Sequence, residues 1–160
     1  MKILGIDPGL AGTGFAVLST RTQSPKAIKY GTIRSKKDKP LGERIKMIVS
    51  ELKKIIRKEK VNSCACESLF FKKAAAKSVI LSSHLRGAIL YLLAQENIPI
   101  WEVHPQRLKL AITGQGRASK RQMNYMIKNL LNITDRVSED EADALACAYY
   151  LKEKINQRKR

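Results

Sequence analysis

The sequence predicts an α/β fold in which a mixed five-stranded sheet carries helices on both faces. Three strand-like segments with short connections come first, which is typical of an antiparallel meander. Two further strand-like segments then alternate with helical periodicities, as in parallel crossover units. The remaining segments are helical, and 160 residues are enough for one domain with a sizeable core.

The predicted strands are short runs of β-favouring residues bounded by turn residues. The first stops at Asp7-Pro8-Gly9, and the second begins with small residues at Gly12 before becoming more β-friendly. The third run alternates polar and apolar residues, and the last two are short apolar runs that each follow a helical segment. The five strands are expected at residues 2–6, 12–19, 27–33, 61–67 and 98–103.

Helices are predicted where apolar residues recur every three to four positions. The clearest case begins at Leu41, where the apolar residues as far as Ile56 share one broad face. The last helix opens with Ser138-Glu139-Asp140-Glu141, which fits a capping box. The five helices are expected at residues 41–58, 74–97, 107–112, 120–131 and 138–155.

We expect a single domain over residues 1–151, followed by a polar and charged tail over residues 152–160 that frays. The first apolar stretch is too short for a signal peptide and is interrupted by Asp7, and no apolar run approaches the ~20 residues of a membrane span. Three cysteines without framework spacing are typical of a reducing compartment, so the cytoplasm is expected. Cys64 and Cys66 are interpreted as buried core residues, because no second pair exists to complete a thiolate metal site.

The charge balance indicates a polyanionic partner. The chain carries 31 Lys and Arg against 14 Asp and Glu, a formal net charge of +17, and its hydrophobic content of 44% argues against a disordered basic protein. Nucleic acid is therefore the leading partner. An anionic membrane surface would call for a basic amphipathic helix or a lipidation signal, and neither is evident.

Four acidic residues lie at positions where carboxylates would weaken binding to nucleic acid unless a cation neutralised them. Asp7 ends the first strand, Glu67 ends the fourth, and Asp140 and Asp143 share a face of the last helix. The first and fourth strands can lie side by side and parallel, which brings both strand-end carboxylates to one sheet edge. Hard oxygen ligands suit Mg²⁺ or Mn²⁺, and two such ions about 3.5–4 Å apart can activate water for phosphodiester hydrolysis. We therefore expect a metal-dependent enzyme that acts on nucleic acid.

Each acid also has a plainer interpretation. Asp7 can belong to simple turn chemistry, and Asp140 can be favoured by the helix dipole and by capping. Asp143 and Glu67 are harder to explain in this way. Asp143 lies beyond the first turn among small residues, and Glu67 ends a buried strand where an unpaired carboxylate costs several kcal/mol.

The glycine-rich hairpin after Asp7 also resembles the phosphate-binding turn of actin-like ATPases, but those proteins contain two such domains and need a longer chain.

The order of five motifs resembles one known family. The segments GIDPG, CESLFF, RGA, TGQGRASK and DEADALA resemble the bacterial RuvC Holliday-junction resolvases over nearly the whole chain. This resemblance implies a ribonuclease-H-like fold, a homodimer and Mg²⁺-dependent endonuclease activity on four-way DNA junctions in recombination and repair, with Mn²⁺ as a substitute ion. It implies acidic ligands at Asp7, Glu67, Asp140 and Asp143, DNA-binding cations at Lys109 and Lys120, and a base-stacking aromatic at Phe70.

The residues after Glu67 agree with that assignment. Phe70 and Phe71 are adjacent, so an extended chain points one toward the core and leaves the other to stack on an unpaired base, which is worth ~1–3 kcal/mol. The alternative is that both lie in the core. Lys72 and Lys73 follow at once, and positive charge beside an aromatic suits a distorted DNA junction.

Other residues have weaker assignments. Gly114 and Gly116 leave backbone amides open to a phosphate, although an ordinary loop between helices explains them as well. His84 has no assigned role, and His104 lies near the end of the fifth strand, within reach of the site.

Two other functions stay open. One is a non-catalytic junction-binding or RNA-binding protein that uses the same basic surface. The other is a related ribonuclease-H-like nuclease that acts on ordinary or RNA-containing duplexes. If the protein is a resolvase, a branch-migration helicase complex is also expected as a partner.

Overall fold

The structure, a computed structural model, describes residues 1–20, 25–68 and 76–158, with residues 76 and 77 described by backbone alone. The strands form one sheet in the order β3-β2-β1-β4-β5, and the predicted mixed sheet is confirmed because β1 pairs antiparallel with β2 and parallel with β4. The strands are β1 (Lys2–Asp7), β2 (Gly12–Ser19), β3 (Lys26–Arg34), β4 (Ser63–Glu67) and β5 (Ile100–Val103). The helices are α1 (Leu41–Glu59), α2 (Ala76–Gln95), α3 (Pro105–Thr113), α4 (Lys120–Leu130) and α5 (Glu139–Gln157).

Helices cover both faces of the sheet, as the sequence predicts. Side chains alternate across each strand, so β1 directs Ile3 into one core and Leu4 and Ile6 into the other. The core that contains Ile3 is closed by α3, α4 and α5, and the core that contains Leu4 is closed by α1 and α2. Within the described residues, no helix is long and apolar enough to cross a membrane.

Helix α5 lies unusually close to the strands. A Cβ added at Gly5 would overlap the backbone carbonyl oxygen of Ala144, and one added at Gly14 would overlap the carbonyl oxygen of Asp140. The buried side of the helix is small, with Ala142, Ala144, Ala146 and Ala148 all at most 2% exposed. Glycine on the strands and alanine on the helix therefore let the helix backbone rest on β1 and β2 beside the end of β1.

Helix α5 continues to Gln157, beyond the point at which fraying was predicted. Lys152 is 6% exposed, and its ammonium nitrogen lies 2.6 Å from a carboxylate oxygen of Glu153. Leu151 is fully buried and Ile155 packs against the same core. An amphipathic side thus keeps the last turns on the protein despite their polar composition. The division of the chain after residue 151 stays a prediction.

Candidate metal centre and nucleic-acid interface

Three carboxylates meet at one edge of the sheet. One ligand oxygen each from Asp7, Glu67 and Asp143 lies within 4.8 Å of the other two. Asp7 and Glu67 come together because β1 and β4 are parallel neighbours, with Ile6 opposite Cys66. Asp143 joins them from α5, whose backbone rests on the same strands. We call these three residues the acid cluster.

Asp140, the fourth predicted acid, lies beside the acid cluster on its β2 side. Its Oδ2 atom is 2.7 Å from the place where a Cβ on Gly12 would stand, so the absence of a side chain at Gly12 makes room for this carboxylate. The negative charge of Asp140 still raises the pKa of Asp7. The structure therefore brings three of the four predicted acids within ligand distance of one another and keeps the fourth as an electrostatic neighbour.

All three carboxyl groups of the acid cluster are biased toward the protonated form. Burial, followed by the charges of Glu67 and Asp143, raises the pKa of Asp7 from 3.8 to about 8. Burial and then the charge of Asp143 raise the pKa of Glu67 to about 7. Burial also raises the pKa of Asp143. Hard oxygen donors that repel one another in a partly dry site fit a divalent cation, because a cation would neutralise them.

Two predicted DNA-binding cations adjoin the acid cluster. Lys109 and Lys120 line a pocket of about 410 Å³ together with Glu67 and Asp143. The positive charges of both lysines lower the pKa of Glu67 and that of Asp143, partly offsetting the effect of burial. The ammonium nitrogen of Lys120 also lies 2.8 Å from a carboxylate oxygen of Glu139. Positive charge is thus available where a phosphate would approach the acids.

The same pocket has a histidine and a glycine at its wall, His104 and Gly116. The Nδ1 atom of His104 accepts a hydrogen bond from the backbone N–H of Gln106 at 3.3 Å and so caps α3. Gly114 adopts a φ of 74° at the end of α3, and its N–H donates to the carbonyl of Leu110. Two glycines are predicted to offer backbone amides to a phosphate. The N–H of Gly114 already donates to the end of α3, so it is not open to a phosphate.

The remaining predictions concern an aromatic and lysine segment and the cysteines. Phe70, Phe71, Lys72 and Lys73 lie outside the described residues. The prediction that Cys64 and Cys66 belong to the core is confirmed, since both are buried free thiols, and Cys147 is buried as well. Burial raises the pKa of Cys66 to about 12, so its thiol stays protonated and is a poor metal ligand.

Arg86 on α2 is a buried cation behind Glu67 to which the motifs assigned no function. Its Nη1 atom donates to the carbonyl oxygen of Glu67 at 2.5 Å and to the sulfur of Cys66 at 3.2 Å. Its Nη2 atom lies 2.8 Å from a carboxylate oxygen of Glu102 on β5. The rigid guanidinium thereby fixes the backbone at the end of β4.

A signal for Arg86 exists in the sequence. Between residues 78 and 95 it is the single charged side chain in an otherwise uncharged and mainly apolar helical segment. An arginine is rarely buried without partners, so an isolated arginine in such a segment indicates a specific polar contact. The sequence does not say which strand provides that contact.

Known proteins resemble this chain over almost its full length. The family model described as "Crossover junction endodeoxyribonuclease RuvC" matches residues 3–150. A protein of that description from Pseudothermotoga lettingae is 38% identical over 150 residues, which are 93% of this chain and 92% of the relative. Another, from Desulforamulus reducens, is 40% identical over 149 residues, which are 92% and 91% of the two chains.

Solved structures share the same architecture. Thermus thermophilus RuvC in complex with a Holliday junction substrate superposes with a TM-score of 0.84 at 24% identity, covering 99% of this chain and 96% of that one. A yeast mitochondrial Holliday junction resolvase superposes with a TM-score of 0.70 at 13% identity, covering 98% and 80%. These likenesses confirm the predicted ribonuclease-H-like α/β fold.

Proposed function

The chain belongs to the RuvC family of crossover junction endodeoxyribonucleases, and on this basis we propose that it resolves four-way DNA junctions by hydrolysing phosphodiester bonds at the acid cluster. The observation that carries the proposal is the convergence of Asp7, Glu67 and Asp143 within 4.8 Å in a chain of net charge +17. Uncompensated acids on a DNA-binding surface weaken binding to phosphate. The cluster therefore makes sense as a cation site rather than as part of a purely DNA-binding surface.

We propose Mg²⁺ as the cation, with two ions in the active site and Mn²⁺ as a substitute. Carboxylate oxygens are the hard ligands that these ions prefer, and a cation would favour the ionised form of Asp7, whose pKa is raised first by burial and then by the charges of the neighbouring acids. Asp140 is proposed as the fourth acid of the site, on its β2 side. A divalent cation, when bound, supplies activation of water and neutralisation of the charge that develops on the phosphate.

The side chains of the pocket orient the DNA. We propose that Lys109 and Lys120, which line the pocket beside Glu67 and Asp143, hold the phosphodiester against the acid cluster. Lys120 can leave its ion pair with Glu139 and bind a phosphate oxygen instead. Both side chains of that pair are more than 60% exposed, and breaking such a pair costs only ~0–1 kcal/mol. Phe70, Lys72 and Lys73 remain proposed contacts to the junction.

The decisive experiment is cleavage of a synthetic four-way junction with Mg²⁺ by the parent protein and by Asp7→Asn. We expect the variant to lose more than about 10³-fold in cleavage rate, as when one member of a catalytic unit is removed. It should bind the junction at least as tightly, because a negative charge has been removed. Asp135→Asn, the same change at an exposed aspartate, is the control and should cut normally.

The same assay separates the rival functions. Undiminished cutting by Asp7→Asn would refute the assignment of the acid cluster. Tight binding by the parent without nicking of any DNA or RNA substrate would identify a non-catalytic binding protein. Equal cutting of a linear or RNA-containing duplex in competition with the junction would identify a nuclease of broader substrate range.

We further propose that the protein acts as a homodimer and that α2 forms the contact. Ile80 and Tyr91 are 55% and 66% exposed, and with the exposed residues His84 and Gly87 they follow one side of the helix. Two copies that each carry a charge of +17 repel one another unless they meet at an uncharged surface. Among the residues of α2 whose side chains the structure describes, this side has no charged residue, so it meets that requirement.

A charge placed on this side of α2 should break the dimer. In a two-fold contact the substitution Ile80→Glu enters twice, so we expect it to convert the protein to monomers in sedimentation experiments. Ile28→Glu, at an isoleucine on β3 that is 41% exposed, should leave the dimer intact. A dimeric Ile80→Glu variant, or a monomeric parent, would exclude this interface. Cytoplasmic location and a helicase complex as partner stay predictions.

A further inference from the structure

A second basic pocket lies on the side of the acid cluster opposite to Lys109 and Lys120. It has a volume of about 350 Å³ and is formed where β3 ends and α1 begins. Its charged lining residues are four cations, Arg34, Lys36, Lys39 and Arg44, and one acid, Glu43. We call it the β3–α1 pocket.

One cation of the β3–α1 pocket is held in place by neutral groups. Arg44 donates from Nε to the hydroxyl of Ser35 at 2.9 Å and from Nη2 to the carbonyl of Leu10 at 3.1 Å. Ser35 is itself buried and donates to the same carbonyl. A guanidinium has five N–H donors, so three remain for a ligand. Because these partners carry no charge, they orient Arg44 without neutralising it.

The other cations of the pocket are exposed and uncompensated. Arg34, Lys36 and Lys39 take part in none of the ion pairs formed within the described residues. Glu43 lies in the first turn of α1, where the helix dipole already favours an acid. The charged lining therefore has a net charge of +3, which suits a phosphate group.

The β3–α1 pocket opens at the same edge of the sheet as the acid cluster. Leu10, which anchors Arg44, follows Asp7 by three residues and so lies within about 11 Å of it. In the sheet, β3 lies two strands from β1, which is about 10 Å. Gly14 is opposite Asp7, and Gly12, two residues earlier on β2, is opposite Arg34. The acid cluster thus lies between two basic regions.

We propose that the β3–α1 pocket binds a backbone phosphate of the DNA strand that is cleaved, within a few nucleotides of the scissile bond. Successive phosphates of a strand advance about 3.4 Å along the duplex axis and lie farther apart than this through space because the backbone winds around the axis, so a separation of about 10 Å is spanned by at most a few nucleotides. The inference rests on the proposed function, since the scissile phosphate must lie at the acid cluster. With Lys109 and Lys120 on the other side, the pocket would hold the strand on both sides of the cut. A phosphate contact positions the strand and carries no base preference.

The first test measures how junction binding depends on salt in the Asp7→Asn background, where the DNA is not cut. Replacing two exposed cations of the pocket, by Arg34→Gln together with Lys36→Gln, should reduce the slope of log affinity against log salt by up to about 1, since one phosphate contact contributes ~0.9. The matched control, Lys54→Gln with Lys58→Gln, removes two exposed cations from the other end of α1 and should leave the slope unchanged. Equal slopes for the two double variants would overturn the proposal.

The second test locates the phosphate. Single phosphates of the cleaved strand are replaced one at a time by neutral methylphosphonates. The resulting loss of affinity is measured for Asp7→Asn and for Asp7→Asn that also carries Arg34→Gln and Lys36→Gln, and the two losses are compared at each position. We expect a methylphosphonate at one position, within a few nucleotides of the cut, to weaken binding to the protein with the intact pocket and to have little effect on binding to the variant. The proposal is wrong if the affinity loss is the same for both proteins at every position, or if the position at which the losses differ is the scissile phosphate itself.

These tests fail separately from the proposed function. A parent protein that does not cut junctions refutes the resolvase assignment whatever the slopes are. A parent that cuts junctions, together with variants that match their controls in slope, refutes the β3–α1 pocket alone. Melting temperatures of both double variants should equal that of the parent, because all four substituted side chains are exposed.

Discussion

The two faces of the sheet are packed in different ways. On the face of α5, Gly5 of β1 meets the backbone of Ala144 and Ala148, and Gly14 of β2 meets the backbone of Asp140, so the helix rests directly on the strands. On the face of α1 and α2, large aliphatic side chains such as Leu52, Leu85 and Ile89 fill the space and are completely buried. The packing on the first face brings the backbone of α5 close to the strands, and the packing on the second face buries large aliphatic side chains.

This difference separates the position of the site from the stability of the fold. Burial of a leucine or isoleucine is worth about 1.5–3 kcal/mol, so the face of α1 and α2 contributes mainly to stability. The face of α5 also buries apolar residues, but its close packing fixes where Asp143 stands relative to Asp7 and Glu67. We therefore expect substitutions on the α5 face to damage catalysis first, and substitutions on the other face to damage stability first.

The largest contrast is expected between Gly14→Ala and Leu52→Ala. A methyl group at Gly14 must displace the backbone of α5 at Asp140, and a misplacement of about 1 Å can cost 10²-fold in rate. Leu52→Ala removes buried volume far from the acids and should cost ~2–5 kcal/mol of unfolding free energy. The measurement is kcat on a four-way junction, taken with the melting temperature of each variant.

Both variants must be assayed where they are folded. Below its melting temperature, Leu52→Ala should keep the kcat of the parent. If Gly14→Ala does not fold, Gly12→Ala replaces it, since its methyl group would meet the carboxylate of Asp140 and the methyl of Thr32 rather than backbone. An equal loss of kcat in folded Leu52→Ala would remove the distinction between the faces.

Arg86 lies on α2 but holds the end of β4 that carries Glu67, so its replacement should have an intermediate effect. Arg86→Lys keeps the charge but cannot span the carbonyl of Glu67, the sulfur of Cys66 and the carboxylate of Glu102 together. Loss of a group that orients a metal ligand typically costs 10–100-fold in metal affinity or activity, so we expect a drop of about that size. The measurement is the Mg²⁺ concentration at half-maximal cleavage, which should rise while KM for the junction stays constant.

Arg57→Lys is the matched control for Arg86→Lys. Arg57 makes a two-pronged contact with Glu96, but on the surface and away from the acids. It should leave the Mg²⁺ requirement unchanged. If Arg86→Lys lowers the melting temperature without changing that requirement, Arg86 is structural and does not position Glu67.

Much of this arrangement follows from the sequence. Parallel neighbours β1 and β4 follow from the order of elements, and this pairing carries Asp7 and Glu67 to one edge. The spacing of Asp140 and Asp143 gives their shared helix face but not which strand each one meets, because that depends on how closely the helix lies on the glycines. The partners of Arg86 and the burial of Lys152 depend likewise on tertiary packing, which short-range patterns do not encode.

The smallest expected effect is a pH dependence of the stability of the metal-free protein, which arises from the acid cluster. Without metal, the folded protein binds more protons than the unfolded chain between about pH 4 and pH 8, because the pKa of Asp7 is raised from 3.8 to about 8 and that of Glu67 from 4.5 to about 7. The contribution of these groups to stability is therefore complete below about pH 4 and lost as the pH rises toward 8. Added Mg²⁺ should remove this loss, because a cation favours the ionised carboxylates.

Melting temperatures in the presence of a chelator, between about pH 5 and pH 8, test this dependence. Asp7→Asn should flatten the fall shown by the parent by a few degrees, because it removes the most strongly shifted carboxyl group. Leu52→Ala should lower the melting temperature at every pH and leave the fall unchanged, because it alters burial on the other face without touching a titrating group. If the melting temperature of Asp7→Asn instead falls in parallel with that of the parent, Asp7 does not have the raised pKa that burial and the neighbouring acids give it, and the pH dependence does not arise at the acid cluster.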